Sequence, residues 1–208
     1  MLLIKKIKHI IFSIIIISIP FFSNKALSSG YSDGEHLIYN CGRNFMEHWI
    51  VDSSHENKDQ IKWNVSGSRL NFTGGYYITD KNLAMVHGLF NLFKQGKNDD
   101  EAKLVVDRDK IFSFLSELKL KSTLSGDATL YSGSNMINGM AWIKINKKIN
   151  QKTIFGEEEL IEFIVKISSD GFKATQRTRF SKKHNRIIQF TGTNPLRYKC
   201  ILQEIKKK

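Results

Sequence analysis

Lys173, Arg177 and Arg179 fall at odd positions of an alternating run, and Lys182, Lys183, His184 and Arg186 crowd the polar stretch that follows. Arginine forks pair bidentately with phosphate or carboxylate, and lysine supplies a point charge. Cations this dense on one hairpin are suited to an anionic partner: a glycan, a lipid headgroup or an acidic protein. The same charges would also protect an edge hairpin from aggregation.

Other residue groups carry weaker chemistry. His48, Asp52, His55 and Glu56 are metal-capable types in a short window, but no zinc spacing such as His-Glu-x-x-His occurs. Trp49, Trp63, Tyr76, Tyr77 and Trp142 could stack on sugars or lipids, although core packing is the usual role of such residues in a β domain. No Gly-x-Ser-x-Gly elbow occurs, and Ser53 and Ser54 beside His55 do not make a triad. The run Glu157 to Glu159 reads as a solvated face rather than a glycosidase pair. No phosphate loop or dinucleotide fingerprint is present, so the reading includes no catalytic residue, cofactor or metal.

Cys41 and Cys200 are the chain's two cysteines. In an oxidising compartment the default reading is one structural disulfide. A redox role is disfavoured because Cys-x-x-Cys is missing. Both cysteines sit in strand-like runs near the chain ends, so the simplest geometry puts first and last strands side by side and closes a sheet or barrel.

The elements that must position these groups are mainly strands. Glu47 to Asp52, Gln60 to Val65, Arg69 to Thr73 and Tyr76 to Thr79 are short runs rich in aromatic and β-branched residues. Leu83 to Phe93 fits a buried strand or a helix, with strand favoured. Lys94 to Lys103 reads as an exposed loop. Asp107 to Leu120 is the best helix, with Ile111, Phe112, Phe114, Leu115 and Leu118 on one stripe and Asp107 or Asp109 as cap. Ala128 to Tyr131, Met140 to Ile145 and Thr153 to Phe155 read as strands, and Glu159 to Ile167 favours strand over helix. From Phe172 to Phe180 the residues alternate, with Phe172, Ala174, Gln176, Thr178 and Phe180 on one face. Ser181 to Asn185 turns the chain, and Arg186 to Phe190 returns.

The first 28 residues have the three parts of an export signal: Lys5, Lys6 and Lys8, an apolar run from Ile10 to Phe22, and Ala26-Leu27-Ser28. Cleavage is expected after Ser28, with Ala26 as the alternative. The apolar run is shorter than the roughly 20 residues a spanning helix needs. The chain's 32 Lys and Arg against 20 Asp and Glu give +12, and losing the four lysines of the signal leaves +8. An exported chain of this charge meets envelope anions rather than cytoplasmic nucleic acid.

The stretch from Ser125-Gly126 through Tyr131-Ser132-Gly133 to Trp142 resembles the Ser-Gly-rich loop of the membrane-bound and periplasmic inhibitors of C-type lysozyme, over under about a tenth of the chain. That resemblance implies a small β-barrel that binds a protein. The combined expectation is a mainly β domain (α+β being possible) at 29–208, behind a signal at 1–28. It is an antiparallel curved sheet or barrel with one or two covering helices, closed by a disulfide. Its expected role is that of a non-enzymatic binding protein, periplasmic or secreted, with no transmembrane span in the mature chain. Lys173, Arg177, Arg179, Lys182, Lys183 and Arg186 are the expected contacts to the anionic partner. An envelope-polymer hydrolase and a secretion-machinery component are the alternatives.

Overall fold

A computed structural model describes residues 30–42, 45–54, 60–67, 75–80, 92–95, 100–105, 107–132, 134–194 and 197–207. The expected signal at 1–28, the run Arg69 to Thr73 and most of Leu83 to Phe93 lie outside these residues. The strands are β1 His36–Asn40, β2 Met46–Asp52, β3 Gln60–Ser66, β4 Gly75–Asp80, β5 Leu92–Gln95 and β6 Asp100–Val105. After the helix α1 Arg108–Glu117 come β7 Thr123–Ser132, β8 Asn135–Thr153, β9 Gly156–Ser169, β10 Phe172–Ser181, β11 Arg186–Asn194 and β12 Tyr198–Lys206.

Each strand pairs antiparallel with the next, and β12 returns to pair with β1, so the ring of pairings forms a barrel. Up-and-down order gives it two ends. Cys41, the β9–β10 turn and the β11–β12 connection share one end; α1, the β8–β9 turn and the β10–β11 turn share the other. Asn40 pairs with Ile201 across the closing seam, which sets Cys41 beside Cys200 with Cα atoms 4.0 Å apart. The disulfide spans 159 residues. Chain-entropy arguments assign a loop of that size about 5 kcal/mol, less any native strain.

Alternation places the core inside the ring. Leu37, Tyr39, Trp49, Trp63, Ile143, Ile145, Phe163, Val165, Ile188 and Phe190 all point inward and are buried. The Tyr39 hydroxyl donates to the Ile187 carbonyl at 3.1 Å, and Trp63 Nε1 donates to Thr79 Oγ1 at 3.0 Å, so these polar tips are satisfied. Burial holds the Tyr39 phenol well above its ordinary pKa. Tyr31, Leu37, Tyr39, Trp49, Trp63, Thr79 and Ile187 pack closely and leave a void of about 10 Å³ between them.

Asp107 caps α1 by accepting from the Lys110 amide at 3.1 Å, and Ile111 and Leu115 enter the core. The helix ends at Leu118, whose backbone is left-handed with φ 48° and whose amide donates to the Leu115 carbonyl. It is the one helix among the described residues.

Two expectations change and a third holds. Thr153 to Phe155 is not a strand: β8 ends at Thr153 and Ile154-Phe155 make the turn into Gly156, whose φ is 97°. Thr153 Oγ1 accepts from the Phe155 amide and closes that turn, which the apolar side chains concealed. The charged stretch 94–103 is not simply a loop, because β5 and β6 extend into it from both sides and pair. Glu159 to Ile167 is strand throughout, its acidic start paired along β8.

Candidate functional site

The expected anion-binding residues do not form one patch. Lys173 and Arg177 stand exposed on the outer face of β10, since Ala174, Gln176, Thr178 and Phe180 take the inward positions as expected. Lys182 and Lys183 are exposed on the β10–β11 turn, five or six residues further along, or about 17 Å from Arg177.

Arg186 is engaged within the fold. It opens β11 with its side chain 10% exposed, and its Nε and Nη2 donate to Glu35 at 2.7 and 2.8 Å. Nη2 also donates to the Gly30 carbonyl at 3.0 Å, and the guanidinium lies 4.1 Å from the centre of the Tyr31 ring. Its fork ties the N-terminal segment onto the barrel. Arg179 is also engaged within the fold: Nε donates to Glu162 Oε2 at 3.4 Å and Nη1 to Gln151 Oε1 at 2.6 Å. Asn146 Nδ2 donates to the other Glu162 oxygen at 2.6 Å, so that buried carboxylate is fully held.

The β8–β12 wall brings other cations to Lys173 and Arg177. Register places Lys144, Ile164, Arg177, Thr191 and Lys199 side by side across five strands. The neighbouring row is Ser125, Trp142, Lys166, Thr175 and Asn194, and the next holds Met140, Ser168 and Lys173. All are outward positions, alternating with Ala141, Ile143, Val165 and Ile167 in the core. Lys144, Lys166, Lys173, Arg177 and Lys199 thus share one face, about 19 Å from Lys144 to Lys199 at normal strand spacing. On β8–β12 these three rows carry no carboxylate; on β7 the third row continues from Met140 to Asp127. Among the described residues none of the five cations is in an ion pair. From residue 163 to 203 the chain has nine Lys and Arg against one acid, Asp170. Lys144, Lys166 and Lys199 were not singled out from sequence because they lie in separate strands; their alternation with buried aliphatics was the available signal.

The face continues into an open depression of about 570 Å³ at the cysteine end, edged by Asn40, Thr191, Thr193, Arg197, Lys199 and Gln203. Gly192 also lines it, and a Cβ there would strike the Tyr198 ring. Trp142 is half-buried in the middle row beside Lys166, so an indole face accompanies the cations.

The remaining candidates are dispersed or internal. His48 Nδ1 lies 3.0 Å from His36 Nε2, and burial, reinforced by His48, lowers the His36 pKa. Asp52 sits four residues from His48 and is bound to Ser54, Lys62 and Asn64, chiefly by the Ser54 hydroxyl, which holds its carboxyl well below the usual range. His55 and Glu56 lie outside the described residues. Trp49 and Trp63 are core, and Tyr76 lies 5.2 Å under Lys62 Nζ. Glu47 approaches both disulfide sulfurs, at 3.5 and 3.7 Å, but oxidised sulfur has no proton to donate. The Ser-Gly segment that resembled a lysozyme-inhibitor loop forms strands β7 and β8.

No protein-family model matches the chain, and no curated protein matches it. Two solved structures are similar in shape. The hypothetical lipoprotein YmcC from Escherichia coli K12 aligns over 82% of this chain and 86% of its own, with 8% identity and a TM-score of 0.48. A protein from Bacteroides fragilis, described as exported and as having a YmcC-like fold, aligns over 85% of this chain and 97% of its own, with 13% identity and a TM-score of 0.36.

Proposed function

We propose that the chain is an exported, non-enzymatic binding protein of the bacterial envelope, whose β8–β12 face holds an acidic glycan. The observation that supports this reading is the group Lys144, Lys166, Lys173, Arg177 and Lys199, arrayed on adjacent rows with no carboxylate among them on β8–β12. Like charges on neighbouring strands repel. A polyanion lying across them relieves that repulsion and gains several contacts at once. Trp142 within the array offers a sugar ring an apolar surface. Arg179 and Arg186 serve the face indirectly, by fixing the strands that carry it. Export is supported by the n-region, apolar run and Ala26-Leu27-Ser28 pattern.

The test is binding of the mature domain to polygalacturonate at low and high salt. Lys166→Ala combined with Arg177→Ala is expected to weaken binding roughly tenfold at low salt, as two lost charge contacts of about 0.7 kcal/mol each would. Unchanged binding by the double variant would remove the face from the account. Binding of phosphatidylglycerol vesicles but not of polygalacturonate would reassign the partner to lipid.

A further inference from the structure

His48 meets another imidazole rather than the acids near it in the chain. It pairs with Ile38 across the β1–β2 ladder, and His36 pairs with Ile50, so the two histidines are diagonal neighbours on adjacent strands. Both take outward positions, alternating with the inward Leu37, Tyr39 and Trp49, and both are half-buried. They meet nitrogen to nitrogen: His36 Nε2 lies 3.0 Å from His48 Nδ1, with ring centroids 5.1 Å apart. Ile38 faces the same way and is 5% exposed, which gives the pair an apolar floor.

Two imidazole nitrogens held this close by one ladder can chelate a metal ion. An ion about 2.1 Å from each nitrogen spans their 3.0 Å separation at an N–metal–N angle of about 90°. That is the angle between neighbouring ligands of a square-planar ion, whereas a tetrahedral zinc site sets its nitrogens about 3.4 Å apart. Square-planar nitrogen sites suit Cu(II) or Ni(II), and Cu(II) heads the affinity order. In the metal-free pair, one ring's N–H lies between the two nitrogens. When the rings tilt outward and the ion takes that place, this hydrogen moves to the other nitrogen of its ring, so a neutral pair loses no proton. Lys206 stands beside His36 in the register, but Glu204 pairs with it at 3.7 Å and offsets its charge.

We infer that His36 and His48 bind one Cu(II) ion, His36 through Nε2 and His48 through Nδ1, with water in the remaining positions. The site belongs to the β1–β2 wall and is independent of the basic face on β8–β12.

The experiment titrates the mature domain with Cu(II) at neutral pH, reading affinity by calorimetry and the ligands by pulsed electron paramagnetic resonance. Wild type is expected to bind one ion coupled to two imidazoles, and its Tm is expected to rise, since an ion that binds only the folded pair stabilises it. His36→Ala and His48→Ala are each expected to weaken binding at least tenfold and to remove the Tm rise, while circular dichroism stays as in wild type. His184→Ala, outside the pair, is expected to bind as wild type does. A wild-type spectrum showing one coupled imidazole or none would overturn the proposal without recourse to any variant. So would unchanged affinity in folded His36→Ala or His48→Ala. A loss in His184→Ala as large as theirs would mean adventitious binding to scattered imidazoles and would overturn it too.

Discussion

Arg186 shows how far one side chain's role depends on what meets it. Its position in a run of cations points outward to a partner, but Glu35 lies 151 residues earlier and only the closed barrel brings the two together. A buried pair with one member removed leaves an uncompensated charge, which typically costs about 3–5 kcal/mol. Arg186→Met is therefore expected to lower the urea midpoint by that order of stability and to leave polygalacturonate affinity unchanged in the folded protein. A full-stability variant with weakened binding would return Arg186 to the binding surface. Arg177, nine residues earlier, was legible as an exposed cation because Gln176 and Thr178 beside it are inward-facing positions of an alternating strand.

At the level of elements, local patterns identified most strands and the helix. The α1 stripe was readable because Ile111 and Leu115 lie four apart behind an aspartate cap. Leu115 is 0% exposed, and a buried Leu→Ala change costs about 2–5 kcal/mol. Leu115→Ala should reduce unfolding free energy by that amount, and a loss under about 1 kcal/mol would mean that α1 does not hold its side of the wall. The sequence misled where apolar side chains lie in a turn. Ile154 and Phe155 are 40% and 36% exposed at the tip of the long β8–β9 arm. The Phe155 ring stacks on His184 with centroids 3.8 Å apart, and Ser181 Oγ donates to Glu158 at 2.5 Å. These contacts fold the arm onto the β10–β11 turn. The hairpin pattern had already put Lys182 and Lys183 in the turn, but the arm packed beside them joins parts of the chain that no local pattern connects.

For the whole molecule, the cysteine positions were the most informative feature of the sequence, since the two ends had to meet and the β1–β12 seam is where they do. The basic face is a product of closure as well. Lys144, Lys166 and Lys199 come from three strands spread over more than fifty residues and gain meaning only from the register that aligns them with Arg177. Charge excess was visible in composition, but its concentration on the β8–β12 wall was not. A lysine-acetylation footprint, read by mass spectrometry with and without saturating polygalacturonate, tests this central claim most directly. The account predicts protection of Lys144, Lys166, Lys173 and Lys199, with Lys110, Lys182 and Lys183 still reactive. Protection centred on Lys182 and Lys183, or spread evenly over all lysines, would contradict it.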